Sequence, residues 1–149
     1  MNISIVCIGK LKERFWQDAA DEYIKRLGRF GKLELIQLPE SKSDDIDEES
    51  ESLISHIPKG SYVIALDVKG KSFTSEGFAK KIADLGLIGT SHISFVIGGS
   101  NGYNNEVREK ADLLLSFSEF TFPHQLMRVI LLEQVYRAFK INAGEKYHK

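Results

Sequence analysis

The chain has 149 residues, a net charge of −1 at pH 7 and one cysteine, with 42% hydrophobic and 28% charged residues. This is the composition of an ordinary globular domain with one sizeable core. It excludes an internal disulfide, and no apolar run approaches the roughly 20 residues of a membrane helix. The opening MNISIVCIGKLKERF has no basic flank ahead of its apolar stretch. No secretory signal is therefore expected, and the chain is assigned to a reducing cytoplasm. Charge is unevenly spread. DDIDEESE, residues 44–51, carries six acidic groups and no basic one, which leaves +5 on the remainder. Basic residues gather at Lys10, Lys12 and Arg14, at Lys25, Arg26, Arg29 and Lys32, and at the C-terminal end. They are either solvated helix faces or a surface that meets phosphates.

Residues 2–8 form an apolar run read as a strand, with Cys7 packing inside it as a small apolar residue. From 13 to 28, Phe15, Ala19, Tyr23 and Leu27 recur every four residues beside the row Trp16, Ala20 and Ile24, the stripe of a helix. LELIQL, 33–38, is the next strand, stopped by Pro39. The acidic stretch 41–57 is expected as a loop with a short helix through Leu53, Ile54 and Ile57. YVIALDV, 62–68, is continuously apolar and fits a strand buried on both faces. Phe78, Ile82 and Leu85 share a helix face. ISFVIG is a fourth strand, and it runs into Gly98-Gly99-Ser100-Asn101-Gly102 and a short polar helix through Val107. LLLSF, 113–117, is a fifth strand, and a helix from His124 to Asn142 closes the pattern. Strands alternating with helices imply an α/β fold: a mostly parallel sheet covered by helices on both faces, in one domain spanning 1–149.

Ligands of such sheets sit at the carboxyl ends of the strands. That rule puts Leu66-Asp67, Gly98 to Gly102 and Phe117 to Phe122 on one rim. The glycine loop matches neither common phosphate motif. The dinucleotide fingerprint would need glycine at Ser100 and Tyr103, and the P-loop a Gly-Lys pair where Tyr103-Asn104 stand. The loop is either a tight turn or a place where backbone approaches a ligand with no Cβ in the way. Asp67 is either a turn cap or a ribose or general-base carboxylate. SFSEFTFPH interleaves hydroxyls with Phe117, Phe120 and Phe122. A loop wedged between other segments, offering main-chain groups to a flat heterocycle, explains both.

The four histidines have no metal-ligand spacing with one another or with Cys7, so no metal is expected. His92 opens a strand and reads as structural. The last helix is apolar round most of its circumference. One sheet contact cannot bury so wide a face, and the surplus suggests a second copy of the chain. Arg128 and Gln134 interrupt that surface as interface or site residues.

Five stretches carry a resemblance: IVCIGKLKE, VIALDVKGK, FVIGGSNG, LSFSEFTFPHQLMRVILLEQVYRAFKI and the closing GEKYHK. Together they touch every part of the chain except the acidic 41–57 stretch. The chain is similar from end to end to the RlmH (YbeA-like) family, the ribosomal RNA large subunit methyltransferase H group. The pairing of FTFPHQLMRV with a terminal YHK is its most specific mark. The resemblance implies a SPOUT fold, whose C-terminal part is threaded into a trefoil knot, an exception to the rule that chains do not thread. It implies S-adenosylmethionine (AdoMet) as cofactor, held by Leu66, Gly98, Phe117, Ser118, Glu119, Phe120, Thr121 and Phe122. It further implies a homodimer that methylates N3 of pseudouridine 1915 in 23S rRNA on assembled ribosomes.

An imide nitrogen is a poor nucleophile until its proton leaves, so a base or an anion-stabilising group is needed. The candidates are His124, which follows the cofactor loop, and Tyr147 and His148 in the tail, with Arg128 and Arg137 to meet phosphate or a developing anion. GEKYHK is too polar for a core and is expected to fray as a free end, or in a dimer to reach the partner's cofactor rim. Two other classes stand against this reading. A cofactor-free, ribosome-binding α/β dimer is disfavoured by the intact Gly98 and FSEFTF loop. A nucleotide-phosphate hydrolase lacks its P-loop or metal-binding acidic pair.

Overall fold

The computed structural model describes residues 1–149. The elements run β1 (Asn2–Ile8), α1 (Arg14–Leu27), β2 (Leu33–Leu38), α2 (Ile46–Ser55), β3 (Tyr62–Ser72), α3 (Ser75–Leu87), β4 (His92–Ile97), α4 (Asn105–Lys110), β5 (Leu113–Ser116) and α5 (His124–Asn142). All five strands pair in parallel, in the order β2-β1-β4-β3-β5. Successive side chains of a strand point to opposite faces, so each apolar run feeds two cores. Ile3, Ile5 and Cys7 join a cluster with Ala20 and Leu27 of α1, Phe78 and Ile82 of α3, and Leu131, Leu132 and Val135 of α5. Val6 and Ile8 join a smaller cluster with Leu53 of α2 and Val107 of α4. The continuous apolarity of the inner strands is thus the mark of a sheet covered on both sides. Burial raises the Cys7 thiol to about 11, which keeps it protonated. His92 is structural as read: its Nε2 lies 2.7 Å from Ser4 Oγ and links β4 to β1.

Two elements differ from expectation. The acidic stretch is mostly helix, and the helix starts earlier than the apolar residues suggest. Asp45 caps it by accepting from the N–H groups of Asp47 and Glu48. Asp47, Glu48 and Glu49 occupy its first turn, where carboxylates favour the positive end of a helix. Strand β3 continues to Ser72 and not to Val68, because it pairs with β5 in two registers. Leu66 and Lys71 both oppose Leu115, with a bulge between. Gly70 allows this, since a Cβ there would stand 2.6 Å from the carbonyl of Leu114.

Helix α5 packs against both α1 and α3 of its own chain. Much of the apolar surface read as a partner's footprint is therefore used internally, and Leu131, Leu132 and Val135 are fully buried. Phe15 moves the other way. Placed in the α1 stripe by periodicity, it is 60% exposed and touches Trp16 edge to face. No helix is long and apolar enough to cross a membrane. Leu131→Ala leaves a cavity at the junction of α5 and the sheet. It should cost about 2–5 kcal/mol, read as a lower urea midpoint at unchanged slope.

Candidate functional site

The bulge of β3 and the carboxyl ends of β4 and β5 open onto a cavity of about 260 Å³. It draws together the three rim segments marked in the sequence. Leu66 and Asp67 come from β3, and Gly98, Gly99 and Gly102 from the loop after β4. Phe117, Ser118, Phe120, Thr121 and Phe122 follow β5. Glu119, expected among the binding residues, is exposed and is not part of the lining. Phe120 lines the mouth while 77% exposed. Ser118 shapes this segment, since its Oγ accepts from the Phe120 N–H and its carbonyl accepts from Ser116 Oγ.

The glycine loop folds back on itself. Gly102 N–H donates to the Gly99 carbonyl at 3.0 Å, and Gly102 adopts φ +75. A Cβ on Gly98 would stand 2.7 Å from the Gly102 carbonyl carbon and oxygen. The glycine at 98 therefore lets the loop close, and a side chain there would strike the loop before it filled ligand space. The acidic helix braces the loop from behind. Ser50 Oγ accepts from Asn104 N–H, and Asn104 Nδ2 donates to Asp47 Oδ1. Glu49, 6% exposed, accepts from Ser41 N–H, and its Oε1 lies 3.2 Å from where a Gly99 Cβ would be. Periodicity assigned none of these acidic residues a role.

Tyr103 and Arg108 also line the cavity, and sequence reasoning missed both. Tyr103 Oη donates to the Leu66 carbonyl at 2.8 Å, and Arg108 Nε donates to Asp67 Oδ2 at 2.9 Å. The guanidinium lies over the Tyr103 ring, 4.9 Å from its centroid. Burial acts to raise the Asp67 carboxyl, but the Lys69 N–H and Arg108 outweigh it and hold the group below its ordinary range. Burial, reinforced by Asp67, raises the Tyr103 phenol, which stays a hydrogen-bond donor. The available signal was indirect: α4 opens just after a rim loop, and its side chains reach back to the rim.

His124 stands in the cavity wall as the first residue of α5, and its buried Nε2 has no partner. Burial, and then the Arg128 charge, hold this imidazole below its ordinary pKa, in the neutral form. Arg128 itself departs from expectation. Read as a contact for phosphate or a developing anion, it is fully buried and absent from the lining. It donates from Nη2 to the Ile8 carbonyl at 3.2 Å and from Nη1 to Gln37 Oε1 at 3.1 Å. It ties α5 to the carboxyl ends of β1 and β2.

The tail is held, contrary to the expectation of fraying. Tyr147 packs edge to face on Tyr136 at 4.8 Å and donates to Glu133 Oε1. His148 lies between Arg137 Nη1, at 3.1 Å, and Glu76 Oε1, at 2.6 Å. Glu145 pairs with Arg29 and Lys140. Neither Tyr147 nor His148 lines the cavity of its own chain. No three His, Cys, Asp or Glu side chains are grouped as a metal site.

A parallel sheet with this cavity at its carboxyl rim has a counterpart in class. The family described as "Predicted SPOUT methyltransferase" matches residues 1–148. A probable methylase family protein from Haemophilus influenzae Rd KW20 shares the fold at TM-score 0.58 and 17% identity, over 99% of this chain and 70% of that one. Ribosomal RNA large subunit methyltransferase H of Bifidobacterium animalis subsp. lactis is 54% identical over the full length of both chains. The namesake from Clostridium novyi is also 54% identical over both full lengths. The chain belongs to the ribosomal RNA large subunit methyltransferase H family, within the SPOUT class.

Two outcomes test this geometry. Gly98→Ala should open the loop, read as faster hydrogen exchange at the Gly102 amide by at least tenfold, about 1.4 kcal/mol of local opening. The His124 pKa is depressed on folding, so the unfolded chain takes up this proton first. Its contribution to stability is present above pH 6.5, the ordinary value, and is lost as pH falls below it. Urea midpoints of His124→Gln should therefore fall less steeply below that pH than those of the parent.

Proposed function

We propose that the protein is an AdoMet-dependent rRNA methyltransferase that methylates N3 of pseudouridine 1915 of 23S rRNA on assembled ribosomes, acting in the cytoplasm as a homodimer. One observation carries the reading. Seven of the eight residues that the family resemblance assigns to AdoMet, all but Glu119, line a single cavity at the sheet's carboxyl rim. We also read the C-terminal part as threaded into the trefoil knot of the SPOUT fold, a reading supported by family membership.

The cavity suits the cofactor. It offers aromatic and aliphatic side chains for a flat heterocycle, a loop with glycine at 98, 99 and 102, and a cation in its wall. Leu66, Gly98, Phe117, Ser118, Phe120, Thr121 and Phe122 would hold AdoMet, which when bound supplies an activated methyl group. The chain's own residues supply position and proton handling. His124 is the leading base: it lines the cavity, it is neutral, and its Nε2 has no partner in the chain, so a small local rearrangement would let it accept the imide proton. Two of the five exposed large apolar side chains, Val68 in β3 and Phe120 in the segment after β5, line the cavity. They suit a partner copy covering that side. The tail lies outside its own chain's cavity, so Tyr147 and His148 would act across the dimer. There the ring can stack on a base, and Lys146 and Lys149 can meet phosphates.

Deleting Tyr147 to Lys149 should leave AdoMet affinity within a few-fold of the parent. Single-turnover transfer of labelled methyl groups to unmethylated ribosomes should fall by at least ~100-fold, about 2.7 kcal/mol of transition-state stabilisation. Near-normal turnover by the shortened protein would reject the tail as a substrate element. Absence of transfer by the parent would reject the activity.

A further inference from the structure

Arg108 is the only Arg or Lys side chain in the cavity wall. Three of its surroundings fix how it stands. Nε is bound to Asp67 Oδ2 at 2.9 Å. Nη1 donates to the Tyr103 carbonyl and to Asn105 Oδ1. The Tyr103 ring backs the guanidinium plane. These contacts use three of the five N–H groups and leave only Nη2 with no hydrogen bond in the chain. The two members of the ion pair are not equally placed. The Asp67 side chain is 6% exposed and the Arg108 side chain 41%. The carboxylate is thus largely covered and spent on Nε, and the cation is the more accessible charge of the pair in the lining. A guanidinium fixed in plane with one nitrogen free can still give a carboxylate a charge-assisted hydrogen bond from that nitrogen.

We propose that Arg108 is a ligand-binding residue that takes the α-carboxylate of an S-adenosyl amino acid, and so sets the direction in which the ligand lies. This rests on the AdoMet reading above and adds the ligand's orientation to it. The amino-acid end lies toward α4 and the Asp67 corner. The heterocycle lies toward Phe117 and Phe122, where the wall carries no charge. Asp67 and Tyr103 act through Arg108 as positioning residues, one holding Nε and the other the plane.

A pair of probes that differ only at the amino-acid end separates gripping from bracing. S-adenosylhomocysteine carries the carboxylate; 5′-methylthioadenosine has the same nucleoside and lacks it. Calorimetry on the parent, Arg108→Gln and Arg108→Lys reads the difference without any turnover. Arg108→Gln should weaken S-adenosylhomocysteine at least tenfold and 5′-methylthioadenosine less than about threefold, with Arg108→Lys recovering part of the loss because it restores the charge. Equal losses for both probes would mean that Arg108 only braces the Tyr103 loop, and would overturn the proposal. So would unchanged affinity for both. Failure of the parent to bind either probe would overturn the AdoMet reading itself, and this inference with it.

Discussion

A guanidinium buried without a carboxylate partner holds this molecule in its working shape. Arg128 comes from the second turn of the last helix, and its Nη2 reaches the carbonyl of Ile8, at the end of the first strand. Burying a cation is costly, and hydrogen bonds to a carbonyl and an amide offset only part of that cost. The return is positional. The start of α5 is fixed against the ends of β1 and β2. The preceding segment, Phe117 to Pro123, is therefore strung between two anchors, β5 and the base of α5. His124 is presented to the cavity by the same anchorage. The positive field of Arg128 then helps keep that imidazole neutral. A residue that touches no ligand thereby sets the shape and the charge of the site.

The wall of the cavity is built by exclusion as much as by contact. Its glycine loop closes only because positions 98 and 102 lack side chains that would collide or strain. Its charges are held at one corner, where Asp67, Tyr103 and Arg108 satisfy one another. Its remaining surface is mostly aromatic and aliphatic, with a few hydroxyls and the His124 imidazole. Such a wall has the make-up of a site for a flat ligand with a charged end.

The sheet, its parallel sense and the rim were legible because buried parallel strands write themselves as continuous apolar runs. Residues 62–68 and 93–98 are such runs. Glu49, Tyr103 and Arg108 were not legible, since their importance lies in contacts between segments tens of residues apart. Arg128 misled for a related reason. A charged residue on an apolar helix face marks a polar contact, but periodicity does not say whether that contact is a ligand or a backbone carbonyl. Leu131 belonged to a face wide enough for a partner, and two helices of the same chain took it. The tail looked too polar to hold, yet Tyr147 finds an aromatic neighbour and His148 finds two charged ones. Such pairing is invisible to a composition argument.

The strand order has a consequence for how the chain is made. β1 lies between β2 and β4, and β3 lies between β4 and β5. During synthesis the first two strands can pair early, but the strand that joins them to the rest of the sheet is complete only at Ile97. Until then β1 has one open edge, and the apolar faces of β3 lack their neighbour. Long-range parallel pairing of this kind is slow and leaves unpaired edges exposed while it waits. The core on the α1, α3 and α5 side comes later still, since Leu131, Leu132 and Val135 belong to the last helix. A nascent chain of this protein therefore has little to gain from folding piecemeal. It commits late, and a chain cut short before α5 would lack five of the twenty buried residues of its larger core.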